Sequence, residues 1–250
     1  MNDPVRVPIG YAWEWCKQGT RLFMAQPGMW IVITLLFFVV SVFAQFVPFL
    51  GPIALALLTP ALLAGTLFCA HEADTNRNIE AGFLFQVFQQ KAKLNPMLTL
   101  GGMYLLGQFV IAILMVIVMF AVAGPTFWQM MQNKPVEPID PQMIGTLLVA
   151  MLVFLVLLTV LMMLFVYAIP LVMFTDTDPF TAMKSSLLAC WRNMWPLFFA
   201  SVLYTLLAFI AMIPFFLGLL VLAPVSFAAW YASFCDIYPD HESEEGILHV

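Results

Sequence analysis

Residues Leu22 to His71 read LFMAQPGMWIVITLLFFVVSVFAQFVPFLGPIALALLTPALLAGTLFCAH, 50 residues between Arg21 and Glu72 without a formal charge. An ionised side chain is costly at the centre of a bilayer, and a soluble core needs no such run, so the stretch reads as lipid-embedded helix. Three more charge-free windows follow, at 94–133, 141–175 and 193–235. The chain is 63% hydrophobic and 9% charged, against about 25% charged for a globular domain. Its nine Lys and Arg residues are scattered, which argues against a nucleic-acid partner.

A crossing takes roughly 20 apolar residues. The opening stretch therefore holds two spans, Gly28 to Phe46 and Ile53 to Ala70, reversed by the turn Pro48-Phe49-Leu50-Gly51-Pro52. Span three is Met97 to about Ala123. Span four runs from Met143 to Phe174, longer than a bilayer requires, and Pro170 predicts a bend in it. Spans five and six are Pro196 to Ile213 and Leu217 to Cys235, with a second Pro-Phe turn from Pro214 to Gly218.

The basic residues orient these spans. Arg6, Lys17, Arg21, Arg77, Lys91, Lys93, Lys184 and Arg192 fall on one side of a six-span layout, and only Lys134 falls on the other. Both termini are thus expected in the cytoplasm, with an acidic tail at 239–250, and the proline-bearing loop Gly124–Gln142 is expected outside. The first 27 residues lack a basic segment leading into a short apolar core, so no signal peptide is expected.

The chain also repeats itself. Met29-Trp30 recurs as Met194-Trp195 at a shift of 165, and Phe68-Cys69 as Phe234-Cys235 at a shift of 166. Each hairpin follows an amphipathic stretch. These are Ile9–Met24 with Trp13, Trp15, Leu22 and Phe23; Glu80–Lys93 with Phe83, Phe85 and Phe88; and Pro179–Met194 with Phe180, Met183, Leu187, Leu188 and Trp191. Asp178 before Pro179 is a strong N-cap and N1 pair. The expected architecture is an all-α polytopic membrane bundle of six transmembrane helices. It forms one integral membrane domain over residues 1–250, built from three parallel units (about 9–74, 79–176 and 178–238). Each unit is an interfacial amphipathic helix plus a transmembrane hairpin.

Several signatures resemble a known family. They are Gly10…Trp13…Gly19…Leu22-Phe23…Pro27; the Pro48 turn; Pro60-Ala61-Leu62…Gly65; Met183…Ser186…Ala189…Arg192-Asn193; and the closing Tyr231-Ala232-Ser233…Asp236-Ile237-Tyr238. Together they resemble a family of uncharacterised proteobacterial inner-membrane proteins, similar in layout to the membrane domain found with some glycerophosphodiester phosphodiesterases. The chain departs at Cys235, where that pattern has a basic residue, and in its long outer loop. The resemblance implies a bacterial inner-membrane location and no reaction.

No reactive constellation stands in the spans, which hold no Asp, Glu, Lys, Arg or His. No catalytic residue, cofactor or metal is expected. Cys16, Cys69, Cys190 and Cys235 fall toward the cytoplasmic side, where thiols stay reduced. Cys69, His71, Cys235 and His241 match no metal-ligand spacing. Pro60 and Pro224 each remove a hydrogen bond within a span, beside the hydroxyls of Thr59 and Ser226. Interrupted helices at matching repeat positions suggest a substrate site, and a packed structural kink is the ordinary alternative. The ridges Ala61-x-x-x-Gly65 and Ala228-x-x-x-Ala232 suit close helix contact, and Gln45 and Gln108 suit hydrogen bonds between helices.

Lys17, Arg21, Lys91, Lys93, Lys184 and Arg192 lie beside aromatics and are candidate contacts for anionic lipid head groups. The expected role is a non-enzymatic scaffold or accessory subunit, partnered by membrane lipids and by another membrane protein or a second copy. The alternatives are a small transporter or channel for lipid or an uncharged solute, and an enzyme on a lipid substrate using His71, Glu72, Asp74 and Asp236.

The charge asymmetry is directly testable. Reporter fusions at the two ends should both report the cytoplasmic face, and reporters on opposite faces would overturn the six-span reading.

Overall fold

In a computed structural model, residues 3–48, 50–132, 141–175 and 177–239 are described. Among them every regular element is helical: α1 Tyr11–Ala25, α2 Pro27–Gln45, α3 Leu50–Asp74, a 3₁₀ turn Ala81–Phe85, α4 Gln86–Gln89, α5 Lys91–Met131, α6 Pro141–Phe165, α7 Ala168–Phe174, α8 Pro179–Arg192, α9 Met194–Met212 and α10 Leu219–Ile237. Six stretches are long and apolar enough to cross a membrane, and they match the six charge-free spans. The chain is an integral membrane protein by that measure.

Local chemistry sets several boundaries. Asp178 caps α8 by accepting from the N–H groups of Phe180 (3.1 Å) and Thr181 (3.2 Å), with Pro179 in the first turn. The hydrogen bond from the Thr181 side chain, with these two N–H groups, holds the Asp178 carboxyl below the usual range. The expected loop Gly124–Gln142 is shorter than its composition suggests. The α5 helix continues to Met131 and α6 resumes at Pro141, because apolar residues follow Pro125 and a proline is tolerated in a first helical turn. Lys134 and the acidic tail from residue 240 onward lie outside the described residues.

Where the sequence reads as one domain of three pseudo-repeats, the contacts gather into two compact units. One is Met103–Met162. Within it Gly107 lets its helix approach Leu161. The same unit carries an open apolar groove of about 340 Å³, whose lining includes Ile111, Met115, Phe154 and a single polar residue, Thr146.

The other unit is Met1–Gly102 with Met163–Val250. Spans two and six are its centre: half of each apolar window is covered by protein, against 17% for span one and 11% for span five. Small residues bring neighbouring elements close to both central spans. At Gly65 a Cβ would strike the carbonyl of Leu84 in the 3₁₀ turn. At Gly19 of α1 a Cβ would strike the Val225 carbonyl and meet Ala229 Cβ at 2.9 Å. So Gly65 of the α3 ridge and Gly19 of α1 let amphipathic elements lie close against α3 and α10, since only small residues let backbones come this close.

The amphipathic elements also face differently from the simplest reading. In α1 Trp15 is buried and Trp13 is uncovered. In α8 the buried stripe is Ala182, Ser185, Ser186, Ala189 and Cys190, while Phe180, Leu188 and Trp191 are exposed. In lipid the large apolar stripe loses nothing by facing outward, and the small stripe packs.

Gly19→Val should lower stability by about 1–3 kcal/mol through overpacking, read as a lower thermal midpoint in detergent. Gly10→Ala, where an added Cβ meets nothing within 4 Å, is the matched control and should leave it unchanged.

Candidate functional site

The helix ends of the larger unit meet in a buried polar layer, built around the bend in span four. Pro170 has no N–H, so the carbonyl of Val166, one turn earlier, loses its helical partner. The indole Nε1 of Trp230 donates to that carbonyl at 2.9 Å. The Ser186 hydroxyl donates to the Met163 carbonyl at 2.7 Å and accepts from the Tyr167 N–H at 2.9 Å. Those two backbone groups would pair with each other in an unbroken helix. A side chain inserted into the ladder thus opens the helix between α6 and α7, and it does so beside the predicted proline.

Around this bend run further pairs. Tyr167 and Ser233 hydroxyls lie 3.1 Å apart, Ser185 and Tyr238 2.9 Å, and His71 Nδ1 and the Tyr231 hydroxyl 3.0 Å. Trp15 Nε1 donates to Asp236 Oδ2 at 2.8 Å. Phe174 packs against His71, Tyr231 and Phe234. Burial pushes the Tyr238 phenol up. It pushes the Cys190 thiol up to about 12, so that sulfur stays protonated near neutral pH and is a poor nucleophile.

Two carboxamides hold extended chain against this layer. Gln26, between α1 and α2, donates to the Arg77 carbonyl and accepts from the Ile79 N–H, both at 2.9 Å. Asn193, between α8 and α9, donates to the Val5 carbonyl and accepts from the Val7 N–H, again both at 2.9 Å. Each amide reads the carbonyl of one residue and the N–H of the residue two further on. The Val5 N–H also donates to the Ile237 carbonyl at 2.9 Å, so the first described residues are pinned to the end of α10. Sequence reading did not single out Gln26, and it met Asn193 only within a motif. The signal available was an amide side chain at each helix-to-helix junction.

The sequence-derived site residues are placed as follows. Pro60 and Pro224 are buried inside α3 and α10, which run through them without a break. The Thr59 hydroxyl donates to Leu55 O at 2.6 Å and that of Ser226 to Leu222 O at 2.8 Å, each within its own helix. The four residues are therefore on two packed helices, with the hydroxyls already engaged.

Among the head-group candidates, Lys17 pairs with Glu14 and Arg21 with Asp74, at 2.8 and 2.7 Å. Lys93 donates to the carbonyls of Val172 and Thr175, and Arg192 to that of Pro4. Lys184 lies 4.4 Å over the Phe180 ring, and Lys91 is exposed. Glu72, one of the enzymatic candidates, is buried and pairs with Arg77 at 3.2 Å. Gln108 bonds Tyr104, one turn away on the same helix. Among the described residues no group of three His, Cys, Asp or Glu could hold a metal. Cys235 is described, but His241 is not.

A protein of Burkholderia thailandensis named as a probable inner membrane protein is 24% identical to this chain over 236 residues, 91% of this chain and 82% of the relative. No protein-family model and no solved structure matches.

Asn193 is fully buried. Its replacement by Ala should cost about 1–3 kcal/mol by stranding the Val5 carbonyl and the Val7 N–H. Limited proteolysis should then cut the N-terminal segment faster than in the parent protein.

Proposed function

We propose that this chain is a non-enzymatic integral module of the bacterial inner membrane, a scaffold or accessory subunit that organises lipids and a membrane-protein neighbour. One contrast carries the reading. Polar side chains in the buried layer are spent on holding helix ends together, while the flanks of α2, α5, α6 and α9 are apolar and largely uncovered by protein. A surface of that kind offers adhesion rather than chemistry. The relative named as a probable inner membrane protein agrees in location. Both termini lie in the cytoplasm in this reading, on the strength of the basic-residue asymmetry.

The three-unit arrangement belongs to the same proposal. The junction amide of the first unit holds the segment leading into the second, and that of the third holds the segment leading into the first. In the middle unit Lys93 reaches Thr175, just before the third. The likeness in layout to the membrane domain of some glycerophosphodiester phosphodiesterases suits a module that presents a partner to the membrane. Anionic head groups would meet Lys91 and Lys184 first. They would compete next for Lys17 and Arg21, since exposed ion pairs are worth only about 0–1 kcal/mol.

The transport alternative rests on Pro60 and Pro224, and it is weakened by the engaged hydroxyls of Thr59 and Ser226. The test separates the two readings. Purification from native membranes in mild detergent, followed by native mass spectrometry, should show a stoichiometric protein partner or retained anionic lipid. Pro60→Ala and Pro224→Ala should leave that capture intact. A protein that purifies alone, drives solute flux in liposomes and loses the flux with either proline replaced would be a transporter instead.

A further inference from the structure

The two turns that join α2 to α3 and α9 to α10 are strongly apolar. The second, Ile213-Pro214-Phe215-Phe216-Leu217-Gly218, carries no side chain able to hydrogen-bond. Phe215 is 92% exposed, and Phe46 and Leu50 of the first turn are 75% and 70% exposed. Phe215 and Phe216 also hold φ of 51° and 64°, a left-handed conformation that costs bulky residues energy. Water-facing turns normally use Gly, Asn or Asp there.

These turns supply their own backbone partners. The N–H groups of Ile213, Phe215, Phe216 and Leu217 donate to Ile210, Ile213, Met212 and Pro214 carbonyls at 3.0–3.2 Å. In the first turn Phe46, Val47, Leu50 and Gly51 donate to Phe43, Ala44, Pro48 and Val47. Gly51 lies against Ala44 and Gly218 against Ala211, where in each case a Cβ would collide. Both turns are thus closed by the same Ala-to-Gly contact, and the N–H groups of Phe46, Val47, Leu50, Gly51, Ile213, Phe215, Phe216 and Leu217 are engaged within the turns. Backbone in hydrocarbon must be satisfied in this way.

The helices that lead into the turns are short, whereas α3, which leaves the first turn, has 25 residues. The α2 and α9 helices have 19 residues each. At about 1.5 Å per residue each rises roughly 28 Å, slightly less than the ~30 Å hydrocarbon core, and any tilt shortens the reach. Gln26 and Asn193, in the polar layer, immediately precede their starts. By contrast α5 has 41 residues, about 60 Å, and must extend beyond hydrocarbon.

We infer that the Ile213–Gly218 tip and, on the first turn, Phe46, Val47, Leu50 and Gly51 lie inside the far leaflet and dock against lipid acyl chains, without emerging into water. The inference does not depend on what the protein does.

The experiment is thiol labelling by a water-soluble maleimide in membranes opened to reagent on both faces, scored against the unsubstituted protein. Phe46→Cys, Phe215→Cys and Leu217→Cys are compared with Gln132→Cys at the exposed end of α5. The tip thiols should label at least about ten-fold more slowly than position 132, because an apolar setting suppresses the thiolate. They should stay slow in phospholipid vesicles carrying less than one copy each, and label fully in SDS. Fast labelling at the tips in membranes would overturn the inference. Slow labelling in native membranes but fast labelling in the vesicles would also overturn it, by showing that another protein covers the tips. A single variant that fails to fold leaves the other two tip positions to decide.

Discussion

Within the spans, backbone N–H and C=O groups must find partners without help from water, and the fold is organised around the places where a helix cannot supply one. The bend of span four is the central case. Proline frees the Val166 carbonyl, and Trp230 of another span fills the gap. The Ser186 hydroxyl then occupies both halves of the next broken bond, 19 and 23 residues away. An uncompensated break in apolar surroundings would cost several kcal/mol, so these donors and the bend come as a set. The junctions obey the same rule, since Gln26 and Asn193 each offer one donor and one acceptor to a passing extended segment.

Close packing follows from the absence of a hydrophobic force between helices in lipid. Contact has to come from van der Waals fit, and fit requires small residues. Gly19 on Val225 and Ala229, and Gly65 on Leu84, bring amphipathic elements onto the two central spans. The same logic turns α8 around: Ala, Ser and Cys point inward, and Trp191 and Phe180 outward.

The functional picture divides along the membrane normal. One end of the larger unit concentrates its polar side chains in pairs that fix the structure, and its thiol Cys190 is held unreactive by burial. The other end closes two hairpins with aromatic and aliphatic tips that supply several of their own backbone partners. Within the larger unit, protein leaves the apolar flanks of α2 and α9 largely uncovered.

The six spans, the N-cap at Asp178, a bend beside Pro170 and the two Pro-Phe turns are all legible in the sequence. Each depends on properties of a few consecutive residues: a missing charge, a missing N–H, a side chain one turn from its partner. The outer loop was read too long because proline composition is a weak guide at a helix end. At Pro60 and Pro224 the sequence carries both a substrate site and a packed kink, because the hydroxyls' own helical partners are invisible until the helix is continuous. The tertiary structure alone decided which element each small-residue ridge receives, which face of α8 is inside, and what Gln26, Ser186, Trp230 and Asn193 bind. Asn193 meets Val7 across 186 residues. No local pattern encodes such a contact, because the free energy that selects it belongs to groups brought together only when the helices pack.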